Sequence, residues 1–146
     1  MVKVEELSLI EKIGQLFLIG FEGNTITDET REMIEKYKIG GFILYRKNYK
    51  NYEEMLKVIN ELKKINEKNK IPLFIAIDQE GGRVNRMPKD FKNLKSPKKI
   101  VKLKDVELVK NSIDIISEML LKSGINMNIA PVLDIQRFKD NHPIRR

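Results

Sequence analysis

The sequence predicts an α/β fold built on a parallel sheet. Helical and strand periods alternate along the chain, the pattern of βα units. The apolar run Ile75-Ala76-Ile77 ends abruptly in Asp78-Gln79-Glu80-Gly81-Gly82-Arg83-Val84-Asn85-Arg86. Charged groups at the carboxyl end of a buried strand lie on the rim where α/β folds place their ligands. Glycine, proline and asparagine punctuate the joins between elements, and the 146 residues contain no internal linker.

Residues 8–15 predict a short helix, because Ser8 followed three residues later by Glu11 has the spacing of a capping box. Residues 16–21 are apolar and predict the first strand. After a Gly23-Asn24 turn, Thr27 opens a helix to Lys36 with Met33 and Ile34 toward the core. Gly40-Gly41 leads into a strand over 42–45.

Residues 51–67 give the strongest helical signal. Tyr52, Met55, Leu56, Ile59, Leu62 and Ile65 recur every three or four residues and form one apolar stripe, which is core packing. Pro72 marks the entry to a strand over 73–77. The lysine-bearing stretch 89–104 predicts a loop. Asp105 caps a helix to about Ser123 with Val109, Ile113, Ile116 and Leu120 as its apolar positions, and Gly124 stands where a C′ glycine belongs. Ile125 to Leu133 predicts the fourth strand, roughly 126–132, with Pro131 at an irregular or terminal position. These strands are expected side by side and parallel, with the helices 51–67 and 105–123 on one side. Periodicity alone permits either a small open sheet or half of a (β/α)₈ barrel.

Composition narrows the class. Hydrophobic residues make up 41% and charged residues 34%, as in a globular protein with a real core. No cysteine is present, which excludes disulfides and thiolate metal sites. The formal charge of +7 raises nucleic acid as a partner, but the lysines are spread over helical faces without interleaved aromatic residues. A solvated lysine-rich surface is the expectation, with no nucleic-acid partner. No secretory leader and no run long enough to span a bilayer is visible, so no membrane partner and a cytoplasmic location are expected. His and carboxylates do not cluster at ligand spacing, so neither metal nor organic cofactor is expected.

Four blocks resemble family 3 glycoside hydrolases, in particular their β-N-acetylhexosaminidase branch. They are Ile13-Gly14-Gln15-Leu16-Phe17-Leu18-Ile19-Gly20-Phe21, Gly40-Gly41-Phe42-Ile43-Leu44-Tyr45 with Arg46 and Asn48, the 75–86 segment, and Asn128-Ile129-Ala130-Pro131-Val132-Leu133-Asp134-Ile135. The resemblance implies the N-terminal half of a TIM (β/α)₈-like barrel, since a barrel of that kind needs at least about 200 residues. It therefore implies one partial catalytic domain over 1–146, truncated, with exposed edges that invite self-association or a complementary half-barrel.

The resemblance also assigns roles. Asp78 and Arg86 match residues that bind the hydroxyls of the terminal sugar, and a carboxylate beside a guanidinium is suited to a diol. Gly81 and Gly82 shape the loop. Glu80 and Arg83 are open between an ion pair that shapes it and direct contact. Arg46 and Asn48 are expected to support the pocket, and Asp134 to shape a loop. Arg146 matches a sugar-binding arginine of the family, provided that the preceding loop is one residue shorter here. The lone histidine, His142, is expected to be a loop residue.

Retaining hydrolysis needs a carboxylate nucleophile and a proton donor. The family's late-barrel aspartate and its histidine-bearing acid–base loop have no match here, so no catalytic residue is assigned and the chain by itself is expected to be inactive. The implied activity of the parent, within carbohydrate metabolism, is hydrolysis of terminal β-linked N-acetylglucosamine. A β-glucosidase of the same family, or a non-catalytic half-barrel that binds sugar weakly, are the alternatives.

Overall fold

A computed structural model describes residues 2–133. Four strands form one sheet in the order β1 (Leu18–Ile19), β2 (Gly41–Leu44), β3 (Phe74–Ile77) and β4 (Met127–Asn128). All three pairings are parallel, as expected, with Leu18 opposite Gly41, Leu44 opposite Ile77 and Asn128 opposite Ile77. The helices are α1 (Leu9–Gly14), α2 (Asp28–Glu35), α3 (Tyr52–Asn66), α4 (Pro97–Val101) and α5 (Val106–Lys122).

Local chemistry sets their ends. At α1 the Ser8 hydroxyl accepts from the Glu11 backbone N–H, and the Glu11 carboxylate accepts from the Ser8 N–H at 2.8 Å. These bonds hold the Glu11 carboxyl down at about 2. Thr27, Asn51 and Asp105 cap α2, α3 and α5 through side-chain oxygens. Gly124 follows α5 with φ +80°, the left-handed position expected of it.

The core lies between one face of the sheet and the helix layer. Side chains alternate along a strand, so Phe42 and Leu44 of β2 and Ile75 and Ile77 of β3 share the face turned to the helices. All four are fully buried. They meet Met55, Val58, Ile59, Leu62 and Ile65 of α3 and Ile34 of α2. The alternate positions Leu18, Gly41, Ile43, Phe74 and Ala76 share the opposite face, where Phe74 remains exposed.

Four expectations need correction. The strand expected over 16–21 shrinks to two residues, because Leu16 and Phe17 close turns onto the Ile13 and Gly14 carbonyls and stay exposed. The fourth strand is likewise short and stops before Pro131, with the Ile129 N–H adding one further bond to the Ile77 carbonyl. The stretch 89–104 contains α4, started by Pro97 at its first turn, which suits a residue without an N–H. The expected stripe of α5 is also only partly used: Leu120 is buried and Ile116 and Met119 pack on the core, whereas Ile113 is exposed. Asp134, His142 and Arg146 lie outside the described residues.

Candidate sugar-binding site

The rim at the carboxyl end of β3 brings Asp78 and Arg86 together. One Arg86 guanidinium nitrogen, Nη2, lies 3.9 Å from Asp78 Oδ2, with the two side chains 28% and 26% exposed. At that distance the pair attracts without hydrogen bonding, so both groups keep free bonding capacity. Arg86 Nε is buried and has no hydrogen-bond partner among the described residues. A half-open carboxylate next to a half-open guanidinium matches the alternating donors and acceptors of vicinal hydroxyls.

The intervening loop is held by backbone geometry. Gly81 and Gly82 have φ of +88° and +63°, a region that disfavours residues with a Cβ. A Cβ on Gly82 would also lie 2.6 Å from Ser96 Cβ. The Glu80 and Gly81 N–H groups both donate to the Val84 carbonyl at 3.0 Å, and the Gly82 N–H donates to the Leu94 carbonyl at 2.7 Å. Glu80 is partly buried within this turn. Arg83 is exposed at the tip and forms no ion pair among the described residues, which leaves direct contact as the role open to it.

Arg86 is fixed from both sides by residues that sequence reading passed over. The Gln79 side-chain oxygen accepts from the Arg86 and Met87 N–H groups at 2.8 and 3.3 Å. The Tyr49 hydroxyl donates to the Arg86 carbonyl at 3.0 Å, and burial pushes that phenol up to about 12. Gln79 is itself gripped by Asn128, whose amide accepts from its N–H and donates to its carbonyl. A polar side chain within a buried strand end was the available signal for both Gln79 and Asn128.

Asn48 takes the supporting role expected of it. Fully buried, it donates to the Phe21 and Gly23 carbonyls and accepts from the Tyr45 N–H. Arg46 is exposed beside it. Among the described residues, no group of three or more His, Cys, Asp or Glu could hold a metal ion. No helix among them is long and apolar enough to cross a membrane.

Comparison with known proteins places this rim in context. The model of the glycosyl hydrolase family 3 N-terminal domain matches residues 8–146. The chain is 35% identical over 124 residues to β-hexosaminidase A of Pseudoalteromonas piscicida, covering 80% of this chain and 21% of that protein. It is 30% identical to the β-hexosaminidase of Glaesserella parasuis serovar 5, covering 82% of this chain and 34% of the relative. Among solved structures, a family 3 β-N-acetylglucosaminidase from Paenibacillus sp. str. FPU-7 superposes with a TM-score of 0.83 at 38% identity, over 88% of this chain and 25% of that one. The chain thus spans about a fifth to a third of the length of these curated relatives.

Proposed function

The chain belongs to glycosyl hydrolase family 3, and from that premise we propose that it supplies the terminal-sugar-binding rim of a β-N-acetylhexosaminidase. The observation that carries the reading is the Asp78–Arg86 pair, 3.9 Å apart at the carboxyl end of β3 with bonding capacity left over. The pair would hold hydroxyls of a terminal β-linked N-acetylglucosamine. The names of the relatives support the sugar, since they are β-hexosaminidases and a β-N-acetylglucosaminidase. The nucleophile and the acid–base group would come from outside the described residues. Loss of general acid–base assistance alone costs about 10²–10⁴-fold.

The test has two parts. Residues 1–146 should bind methyl N-acetyl-β-glucosaminide weakly, and Asp78→Ala should abolish that binding. The same protein should show no turnover of an aryl β-N-acetylglucosaminide. Robust hydrolysis that disappears in Asp78→Ala would make Asp78 catalytic and overturn the assignment.

A second reading concerns assembly, and one observation favours it. Beside β1, an edge strand of the sheet among the described residues, lies an apolar groove of about 570 Å³ lined by Leu9, Ile10, Ile13, Phe17, Met33 and Tyr37, among others. In a closed barrel each helix of the outer layer has a neighbour on both sides. Here the groove between α1 and α2 stays open among the described residues, and its apolar lining suits a helix from a complementary part of the domain. Ile13→Asp should abolish such association without changing the fold, as read by sedimentation with and without a separately expressed C-terminal part of the Paenibacillus enzyme. Unchanged association in that variant would remove the groove from the account.

A further inference from the structure

We propose that Tyr45 is a third sugar-contacting residue, its ring packing on the apolar C–H face of the terminal pyranose while Asp78 and Arg86 hold the hydroxyls. The inference rests on the sugar-site reading above and deepens it.

Register and alternation place the ring. Leu44 pairs with Ile77 in parallel β2 and β3, so the next residues, Tyr45 and Asp78, stand side by side at the carboxyl rim. Leu44 and Ile77 face the helices, so Tyr45 and Asp78 face the other way, toward what becomes a barrel interior. The neighbouring strand makes room there. A Cβ built on Gly20, just past β1, would lie 3.5 Å from Tyr45 Cε2 and 3.9 Å from Ile43 Cγ2. The ring therefore lies beside Gly20, a position that carries no side chain.

Arg86 completes the cluster. Its guanidinium carbon is 5.7 Å from the Tyr45 ring centroid, within cation–π range. Lys47 Nζ lies 5.9 Å from the same centroid, on a flexible, half-exposed side chain that a sugar can displace. Tyr45 thus touches one partner of the ion pair and adjoins the other.

Core packing does not account for the ring. Tyr45 lies outside the buried cluster and is partly exposed. Tyr49 provides the contrast four residues on: it is buried and its hydroxyl is committed to the Arg86 carbonyl. A pyranose presents axial C–H groups on its faces and hydroxyls around its edge. An aromatic ring adjoining a carboxylate–guanidinium pair complements that pattern, apolar surface with a few placed polar groups.

The experiment titrates ¹⁵N-labelled protein with methyl N-acetyl-β-glucosaminide, comparing the unaltered chain, Tyr45→Phe, Tyr45→Leu and Asp78→Ala. Bound sugar C–H protons should shift upfield under the ring in the unaltered chain and in Tyr45→Phe. Tyr45→Leu should lose that shift and weaken binding roughly three- to tenfold, the worth of one aromatic contact. Amide spectra report whether each variant is folded; should Tyr45→Leu unfold, the ring-current shift in the unaltered chain decides. Absence of that shift, or wild-type affinity in folded Tyr45→Leu, overturns the role of Tyr45 and leaves the Asp78–Arg86 site standing. Undiminished binding by Asp78→Ala, or no binding by the unaltered chain, overturns the site and this inference with it.

Discussion

Helices α3 and α5 are both amphipathic, yet the fold treats them differently. α3 buries Met55, Val58, Ile59, Leu62 and Ile65, whereas α5 buries Leu120 and leaves Ile113, Ile115 and Leu121 exposed. The difference follows from position. α3 packs beside α2 and shares the buried cluster with β2 and β3, while α5 packs against α4 and joins that cluster through Leu120, with Ile116 and Met119 against it. An apolar stripe states what a helix can bury, and only its neighbours determine how much of it is covered. The same rule separates the centre of the sheet, where Phe42, Leu44, Ile75 and Ile77 are sealed, from the β1 flank with its open apolar groove.

The largest test of this comparison repeats one substitution on the two helices. Leu62→Ala in α3 should cost about 2–5 kcal/mol, because a fully buried methyl cluster is lost and a cavity remains. Leu121→Ala in α5, at 70% exposure, should stay within about 0.5 kcal/mol. Urea denaturation of both variants measures the contrast. Similar costs would mean that α5 is covered in solution, by a partner or by a second copy.

The next test moves to the rim. Gln79→Leu removes the acceptor of two buried-side N–H groups, at Arg86 and Met87, and should cost about 1–3 kcal/mol. It should also weaken sugar binding, since Arg86 would lose the bonds that fix its backbone. Retention of both stability and binding would show that the Tyr49 hydroxyl alone holds Arg86 in place.

Much of this was legible in the sequence. The capping residues Ser8, Thr27 and Asp105, the α3 stripe and Gly124 are local signals, and each specifies its element without reference to the rest of the chain. Asp78 and Arg86 stand out because the carboxyl end of an apolar run that closes in Gly-Gly is itself a local pattern, while their sugar-binding role is what the family resemblance implies. Gln79, Tyr49 and Asn128 were missed because their roles exist only across the fold: Asn128 reaches Gln79 from 49 positions away, and Tyr49 reaches Arg86 from 37. The shortness of β1 and the exposure of Ile113 were hidden for the same reason, since an apolar residue looks the same in a sequence whether or not something covers it.

A smaller effect tests how tightly the rim is sealed. The Tyr49 phenol is pushed up to about 12 by burial, whereas an unfolded tyrosine titrates near 10. The folded pKa is the higher one, so the contribution is fully present below about pH 10 and declines as pH rises toward 12. A phenolate absorbance titration should show one tyrosine ionising late, together with falling stability over that window. Tyr49→Phe should remove both. A normal titration of all four tyrosines in the folded protein would mean that water reaches the back of Arg86.

The smallest effect belongs to the periphery and has the opposite sign. Glu11 sits on α1 at the exposed flank, and its carboxyl is held at about 2, chiefly by the Ser8 hydroxyl, then by the Ser8 backbone N–H and by Lys70. Its folded pKa is below the unfolded one, so the benefit is present above about pH 4.5 and is lost as pH falls toward 2. Because α1 is short and mostly exposed, protonation should loosen α1 before it affects the core. Amide exchange should therefore quicken between pH 4.5 and 2 at Glu11 and Lys12, after the intrinsic pH dependence of exchange is removed, while Ile59 and Leu62 in α3 remain protected. Glu11→Gln should flatten that local response and leave α3 unchanged. Loss of protection in α1 and α3 together would show that the flank and the centre open as one unit, and that the contrast between them is one of burial alone.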